Sequence, residues 1–248
     1  MKSIVPVSPD YVRILNQWNS LAEIRFNQIK SGLDITYRNF LMPNMIDLIN
    51  PREGVSILDA GCGVGFLANE MSNRGAMVKG IDPSIVSINM ASKNFSNIDF
   101  QCMSIEQLAS LYSDKFDIIS LNMVLMDALD INSFLSSCFM LLKSSGKIVF
   151  SITHPWFWSK YAGYSDESWF NYNKINIIEA PFVISNDKSG ELVSTHVHRP
   201  LGCYLSSFVA HGFRWESITE PMPSANVMKL YKEEWKFPRY LFGVVVAP

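Results

Sequence analysis

The sequence predicts an α/β fold built on a mostly parallel β-sheet with helices on both faces, and three observations lead to it. Apolar runs alternate with segments of helical spacing from residue 55 to about residue 151, as in right-handed strand–helix–strand units. A glycine-rich turn joins one of these runs to a helix. The chain has 248 residues, of which 48% are hydrophobic and 18% are charged, enough for one large core with insertions.

Apolar patterning places the elements along the chain. Five short apolar runs are predicted as buried parallel strands. They are residues 56–59, 77–82, 98–102, 116–122 and 147–153. Helices are predicted at residues 66–74 and 201–211, and two further strands at residues 213–219 and 240–246.

Residues 1–50 are predicted as a helical cap that precedes a core domain of residues 51–248. Apolar residues recur in this cap at the spacing of one helix face. The first face holds Trp18, Leu21, Ala22, Phe26 and Ile29, and a second holds Met45, Ile46 and Ile49. We expect both faces to pack on the side of the core that carries the glycine-rich turn.

An aromatic segment interrupts the pattern at about residues 155–199. Glycine and serine lie among its rings and argue against one long helix. Residues 177–184 and 191–198 flank the run Asn-Asp-Lys-Ser-Gly at residues 186–190, which predicts a hairpin. We interpret the segment as a lid over a substrate, although the same rings would also serve packing on the sheet or contact with another protein.

The glycine-rich turn is the most informative feature for function. Asp59 ends the first core strand, and Gly61, Gly63 and Gly65 follow it. Residues without a Cβ allow a sharp turn and bring backbone N–H groups against a ligand near a helix N-terminus. Asp82 ends the second strand 21 residues after Gly61, where a carboxylate can bind ribose hydroxyls.

Two cofactors compete for this turn, a nicotinamide dinucleotide and S-adenosylmethionine. The dinucleotide fingerprint requires a third glycine five positions after the first, whereas here it comes after four. A pyrophosphate would also be repelled by Asp59. S-adenosylmethionine has an ammonium group for Asp59, a ribose for Asp82 and no phosphate, so the pattern favours it.

From this turn onward the chain resembles the class I S-adenosylmethionine-dependent methyltransferases, and in particular a subgroup that acts on small molecules. The resemblance rests on the order of several motifs over about residues 55–248. They are the glycine-rich turn, the strand at residues 116–122, the Leu-Lys-x-x-Gly turn at residues 142–146, His154-Pro155, the run from His198 to Leu201, Gly212-Phe213 and Glu220-Pro221. It implies a Rossmann-like sheet of seven strands, the last antiparallel, with a helix that starts at residues 124–127.

The resemblance also implies a set of residues that bind S-adenosylmethionine. They are Tyr37, Asp59, Gly61, Cys62, Gly63, Gly65, Asp82, Pro83, Met103, Ser104, Ile105, Asn122, Met123 and Val124. Met103 departs from the family pattern, because it cannot accept a hydrogen bond from the adenine amino group. Tyr37 would otherwise serve ordinary helix packing.

Methyl transfer requires an aligned, dry pocket and, for a hydroxyl acceptor, a general base. His154 follows the fifth strand at the carboxyl end of the sheet and is the first candidate for this base, with His198 the second. His154 would otherwise hold the strand end through hydrogen bonds. The predicted substrate-binding residues are Trp156, Phe157, Trp158, Tyr161, Trp169 and Arg199.

His196 and His198 are two positions apart, so a strand places both on one face. No nearby cysteine or carboxylate pair completes a tetrahedral site, and we predict no metal.

Composition limits the partners. The net charge is −2, and no run of five basic residues is present, which counts against a nucleic-acid substrate. The four cysteines are scattered, as in a reducing compartment. Neither a secretion signal nor an apolar stretch of about 18 residues is evident. We expect a cytoplasmic protein without a membrane segment, with a homodimer as one option.

These patterns predict an enzyme that transfers a methyl group from S-adenosylmethionine to a small apolar or aromatic metabolite, as in natural product biosynthesis. Oxygen is favoured as the acceptor atom over nitrogen or carbon. Two alternatives remain: an enzyme that uses the cofactor to guide a cyclisation or rearrangement, and a catalytically silent cofactor-binding protein.

Overall fold

The computed structural model describes residues 3–111, 115–184 and 192–248. The strands are β1 (Val5–Pro6), β2 (Ser56–Ala60), β3 (Met77–Asp82), β4 (Asp99–Cys102), β5 (Phe116–Asn122), β6 (Leu142–Thr153), β7 (Asn176–Pro181), β8 (Val193–His198), β9 (Arg214–Thr219) and β10 (Tyr240–Val246). The helices are α1 (Tyr11–Ser31), α2 (Met42–Ile49), α3 (Phe66–Asn73), α4 (Ile85–Asn94), α5 (Ile105–Leu111), α6 (Ile131–Leu141), α7 (Trp158–Ala162), α8 (Leu201–Ala210) and α9 (Ala225–Met228). A π-helical turn at Tyr37–Leu41 leads into α2.

Seven strands form one sheet in the order β4-β3-β2-β5-β6-β10-β9. The first five are parallel to one another, and β10 is antiparallel to both of its neighbours. The predicted seven-stranded Rossmann-like sheet is therefore confirmed. The carboxyl ends of β2, β3, β5 and β6 lie at one edge, which is where sheets of this kind bind ligands.

Helices cover both faces of the sheet, which explains the apolar character of the strands. Leu58 of β2 belongs to a buried cluster with Leu135 of α6 and Phe208 of α8. The preceding residue, Ile57, belongs to a second cluster with Met71 of α3. Successive residues of one strand therefore pack in two separate cores.

The first helix lies against the glycine-rich turn, as predicted. Asp10 caps its start by accepting a hydrogen bond from the Arg13 N–H, and Gly32 ends it in the left-handed conformation, both common capping arrangements. Its buried face packs on Val64 of the turn through Ala22, Phe26 and Ile29.

A separate sheet of three strands, in the order β1-β7-β8, connects the N-terminal segment to the insertion. Strands β7 and β8 form the predicted antiparallel pair, and the predicted turn at residues 186–190 lies outside the described residues. Strand β1 adds to β7 through the pairs Val5 with Glu179 and Pro6 with Ile178. The two segments that the sequence separates are thus joined by backbone hydrogen bonds.

The predicted helix start at residues 124–127 is wrong. These residues form a turn, and the next helix begins at Ile131. Asp130 caps that helix by accepting from the backbone N–H groups of Asn132 and Ser133. The carbonyl groups of Leu125, Ala128 and Leu129 accept hydrogen bonds from the Arg199 guanidinium instead of from a following helical turn.

Within the described residues, no helix combines the length and the apolar character needed to cross a membrane.

Candidate functional site

The turn after β2 has a backbone conformation that glycine adopts more readily than other residues do. Gly61, Gly63 and Gly65 have φ angles of 76°, 52° and 87°, in the left-handed region that other residues rarely enter. A Cβ on Gly61 would lie 2.5 Å from a methyl carbon of Val124. This close approach packs the turn against the segment after β5, and Gly65 then leads directly into α3.

Asp82 at the end of β3 ties the turn to the neighbouring strand. Its two carboxylate oxygens accept hydrogen bonds from the backbone N–H groups of Gly63 at 2.9 Å and Ser84 at 2.8 Å. Burial raises the pKa of this carboxyl group to about 6, against the lowering effect of the two N–H groups. The carboxylate therefore sits at the turn, as the sequence predicts, and each oxygen keeps further lone pairs for a ligand.

Asp59 at the end of β2 is the strongest indication of a ligand. Its side chain is 2% exposed, and its Oδ2 atom has no hydrogen-bond partner among the described residues. Burial raises the pKa of Asp59 to about 7 and the negative charge of Asp82 adds to this, whereas the nearby Ser120 hydroxyl and the Ala68 N–H lower it. A buried carboxylate oxygen without a partner is unfavourable, so a cationic ligand beside Oδ2 would relieve this arrangement.

These two carboxyl groups fit S-adenosylmethionine better than a dinucleotide. The ammonium group of S-adenosylmethionine would be a partner for Asp59, and its ribose hydroxyls would be donors for Asp82. A pyrophosphate at the same place would face two acidic groups. The residues present therefore suit the predicted cofactor.

Tyr37 lies close to this acidic pair, in the π-helical turn before α2. Burial raises the pKa of its phenol, and the nearby Asp59 carboxyl raises it further. The guanidinium of Arg25 lies 5.9 Å from the Tyr37 ring centre. The structure thus brings Tyr37 to the site that the sequence assigns to the cofactor.

The segment after β5 forms the opposite wall of the turn. Asn122 accepts a hydrogen bond from the Ser151 hydroxyl at 2.7 Å. The Met123 N–H donates to the carbonyl of Ser151 at 3.0 Å, and Met123 has a φ of 61°. Val124 packs on Gly61. All three residues predicted here therefore lie at the carboxyl edge of the sheet.

The other predicted cofactor residues lie around the ends of β3 and β4. Cys62 is buried behind the turn, where burial raises the pKa of its thiol, and Pro83 directly follows Asp82. The Met103 N–H donates to the Asp82 carbonyl at 3.2 Å. Ser104 precedes α5, and Ile105 begins it as a buried residue. Their contact with a cofactor stays a prediction.

His154 has both ring nitrogens in hydrogen bonds. Its Nε2 is 2.6 Å from Oε1 of Glu220, which directly follows β9. Its Nδ1 accepts from the backbone N–H groups of Trp156 at 3.2 Å and Phe157 at 3.3 Å. The side chain is 2% exposed. These bonds tie His154 to the start of the insertion and engage both of its ring nitrogens, and its role as a general base stays a prediction.

His196 and His198 both face the aromatic rings of the insertion. The His198 Nε2 lies 3.0 Å from the carbonyl oxygen of Tyr172, and burial lowers the pKa of His198. The His196 Nε2 lies 3.3 Å from the Tyr164 hydroxyl, and burial lowers the pKa of His196 to about 4. In the described parts of the chain, no three His, Cys, Asp or Glu side chains gather at one point.

Arg199 is a buried cation at the end of β8, with 3% of its surface exposed. Its Nη1 donates to the Leu125 carbonyl at 3.2 Å, and its Nη2 donates to the carbonyls of Ala128 and, at 3.1 Å, Leu129. It therefore holds the segment after β5 in place.

The predicted aromatic substrate residues differ in their surroundings. Trp156 is 58% exposed and packs edge-on against Tyr172. Phe157 stacks on Phe237. The remaining three contact other rings: Trp158 contacts Tyr161 and Tyr240, Tyr161 covers the Arg239 guanidinium, and Trp169 stacks on Tyr164. Each of these rings therefore has a packing partner within the insertion or in residues 237–240.

Sequence reasoning missed two residues that support the Asp82 carboxylate. The Ser84 hydroxyl donates to Oδ1 of Asn19 in α1 at 2.7 Å, while the Ser84 N–H donates to Asp82. Ser84 also caps the start of α4. Ser84 could have been recognised from the sequence as a helix cap, but no sequence pattern links it to Asn19, 65 positions away.

Comparison with known proteins agrees with this site. The model of a family described as "Methyltransferase domain" matches residues 51–180, which is more than half of the chain. Together with the sheet order and the glycine-rich turn, this defines the class as the class I S-adenosylmethionine-dependent methyltransferases. The chain belongs to this methyltransferase domain family.

A curated relative is the ubiquinone biosynthesis O-methyltransferase of Idiomarina loihiensis. It is 36% identical over 102 residues, which are 40% of this chain and 42% of that protein. The chain therefore matches less than half of the length of this relative.

Solved structures share the fold over most of the chain. An S-adenosylmethionine-dependent methyltransferase from Mesorhizobium loti aligns with a TM-score of 0.66 and 22% identity, covering 82% of this chain and 96% of that one. The 1,6-didemethyltoxoflavin-N1-methyltransferase of Burkholderia thailandensis, solved with its substrate and S-adenosylhomocysteine, aligns with a TM-score of 0.58 and 14% identity, covering 98% and 94%. At these identities the likeness establishes the fold.

Proposed function

We propose that this protein binds S-adenosylmethionine at the carboxyl edge of its sheet and methylates an oxygen atom of a small molecule. The observation that carries this proposal is the buried, unpartnered Oδ2 of Asp59 beside the glycine-rich turn. The match to a curated O-methyltransferase supports oxygen as the acceptor atom. When bound, the cofactor supplies a methyl group attached to a positively charged sulfur.

The residues of the chain would bind and orient the reactants. Asp59 would hold the ammonium group, Asp82 the ribose hydroxyls and Tyr37 the carboxylate of the cofactor or the substrate. Residues 122–124 would line the methionine portion. Alignment of this kind supplies about 7 to 11 kcal/mol in favourable cases without a covalent intermediate.

We propose that His154 is a positioning residue rather than the general base. Its bonds to residues 156 and 157 fix the start of the insertion. The insertion at about residues 155–199 would then act as the lid, together with residues 1–50, since β1 and β7 pair.

Transfer of radiolabel tests this function. The purified protein is incubated with S-adenosylmethionine labelled in the methyl group and with catechol or 4-hydroxybenzoate as acceptor. Label in an extractable product supports the proposal. Binding of the cofactor without transfer to any acceptor rejects it and leaves a silent binding protein, and conversion of an acceptor without label indicates a rearrangement.

We further propose a cytoplasmic protein that uses no nucleic-acid substrate and that forms a homodimer as one option. The four cysteines are free thiols, which suits a reducing compartment. The net charge of −2 suits a small-molecule rather than a nucleic-acid substrate.

A further inference from the structure

A small polar cavity lies beneath the insertion, where the end of β6, β8 and the start of α8 meet. Its lining includes Thr153, Tyr164, His196, Arg199 and Tyr204. The cavity volume is about 10 Å³, which is enough for one oxygen-sized group. The cavity is close to the methyl-transfer edge of the sheet, because Thr153 ends β6 and Arg199 holds the segment after β5.

Among the described residues that line this cavity, Arg199 carries the only formal charge. A guanidinium has five N–H groups. Three hydrogen bonds go to carbonyls of residues 125–129 and a fourth involves Tyr204, which leaves a donor for a ligand. In the described segments, no carboxylate lies within ion-pair distance of this guanidinium. Asp127 is the acidic group that interacts with it electrostatically; burial raises the pKa of Asp127 well above its usual range, and the Arg199 guanidinium lowers it.

The other polar groups of the lining are neutral. Burial raises the pKa of the Tyr164 and Tyr204 phenols, so both keep their protons. Burial lowers the pKa of His196 to about 4, so its imidazole is uncharged at neutral pH. A buried positive charge with no carboxylate within ion-pair distance is unfavourable, and the Tyr204 hydroxyl beside it is a further donor for an anion.

We propose that this cavity binds an anionic oxygen of the methyl acceptor, so that the enzyme selects small molecules with a carboxylate or an ionised phenol. This inference rests on the function proposed above and names its substrate class. When the bound anionic oxygen is itself the methyl acceptor, no proton has to be removed by a base, which agrees with the engagement of both ring nitrogens of His154.

Calorimetry with matched probes tests the inference. The protein is saturated with S-adenosylhomocysteine at about pH 8 and titrated with benzoate or benzamide, and then with 4-nitrophenolate or nitrobenzene. We expect the anion of at least one pair to bind about tenfold more tightly or better than its neutral counterpart. The pair that shows the preference identifies the carboxylate or the phenolate as the source of the anionic oxygen.

Substitutions at Arg199 and at Arg52 show whether the preference for the anionic probe arises in this cavity. Arg199→Gln should abolish it and Arg199→Lys should retain part of it, because lysine keeps the charge. Arg52→Gln removes the same charge from an exposed position and should leave the preference intact. If Arg199→Gln does not fold, Tyr204→Phe removes one hydroxyl donor and should weaken the preference severalfold.

Equal binding of anion and neutral probe, or no binding of either while S-adenosylhomocysteine binds, overturns the inference. A preference that survives Arg199→Gln in a folded protein also overturns it. Failure of S-adenosylhomocysteine to bind would instead overturn the function proposed above, and this inference with it.

Discussion

Asp59 places ligand binding and stability in opposition. Its buried carboxyl has an oxygen without a partner, which serves a cationic ligand but is unfavourable when no ligand is bound. Natural binding sites often retain such groups despite their effect on stability. Two expectations follow for this one residue.

Asp59→Asn should weaken the binding of S-adenosylhomocysteine by about tenfold or more while raising the melting temperature of the ligand-free protein. The amide keeps the shape of the side chain but loses the charge that attracts the ammonium group. Calorimetry and thermal unfolding measure the two effects. Asp47→Asn, which changes an exposed carboxylate on α2, is the matched control and should alter neither. Unchanged affinity in Asp59→Asn would rule out the assigned contact.

The stability of the ligand-free protein should fall as the pH rises. The pKa of Asp59 is about 7 in the folded state against 3.8 ordinarily, so the folded protein holds this proton more tightly than the unfolded chain does. The contribution of Asp59 is therefore most favourable below about pH 4 and declines towards pH 7, by at most about 4 kcal/mol. Urea unfolding at about pH 5 and pH 8 checks this. A stability difference between wild type and Asp59→Asn that does not grow with pH would contradict it.

At the scale of single elements, the turn after β2 depends on close packing as well as on its backbone. Gly61→Ala should destabilise the fold by about 2 to 4 kcal/mol, because a positive φ and a clash with Val124 act together. Gly54→Ala is the control, since Gly54 also has a positive φ of 81° but open space around its Cβ position. Chemical unfolding of both variants separates the two effects. An equal loss in both would show that the contact with Val124 is unimportant.

The junction between β6 and the insertion depends on the hydrogen bonds of the His154 ring. His154→Ala should raise the KM for the acceptor and lower the melting temperature, since two backbone N–H groups lose their acceptor. Affinity for S-adenosylhomocysteine should stay unchanged. Glu220→Gln keeps a hydrogen-bond acceptor for Nε2 and should have a smaller effect. A large fall in kcat with unchanged KM and melting temperature, and the loss of one limb of the pH profile, would instead identify His154 as the general base.

On the scale of the whole molecule, hydrogen bonds join the N-terminal segment to the insertion and to the end of β3. Strand β1 pairs with β7, Gln17 of α1 bonds Glu179 of β7 at 2.8 Å, and Asn19 of α1 accepts from Ser84 beside the Asp82 carboxylate. If both segments cover the proposed cofactor site, the cofactor product should order them together. S-adenosylhomocysteine should therefore slow hydrogen exchange in α1, β7 and β8 together, although these segments are far apart in sequence. Protection confined to the glycine-rich turn would show that the cover is independent of the cofactor.

Much of this architecture could be predicted because apolar strands and the glycine-rich turn are local patterns, while the antiparallel last strand was implied by the family resemblance. Asp59 and Asp82 lie at the predicted strand ends, and the core strands lie close to the predicted runs, except that β6 begins at Leu142 rather than at residue 147. The pairing of β1 with β7 could not be predicted, since a strand of two residues has no periodicity to detect. The turn at residues 124–127 was wrongly predicted as a helix start, because Arg199, 70 or more positions away, donates to the carbonyls of Leu125, Ala128 and Leu129.

The side-chain contacts of the candidate site could not be predicted from the sequence, because they also join residues that are far apart along the chain. Nothing in the sequence indicates that Glu220 and two backbone N–H groups occupy both nitrogens of His154. Nor does it indicate that Arg199 lines a cavity with Tyr164 and Tyr204. These contacts depend on tertiary packing, whereas the cofactor turn is encoded by a few adjacent residues.

The most direct test of the central claim is a calorimetric titration of the wild-type protein with S-adenosylhomocysteine and, separately, with NAD. Asp59 and Asp82 are expected to favour a ligand with an ammonium group and no phosphate, so S-adenosylhomocysteine should bind at a single site and NAD should give no binding heat. Tight binding of NAD with no response to S-adenosylhomocysteine would contradict the assignment.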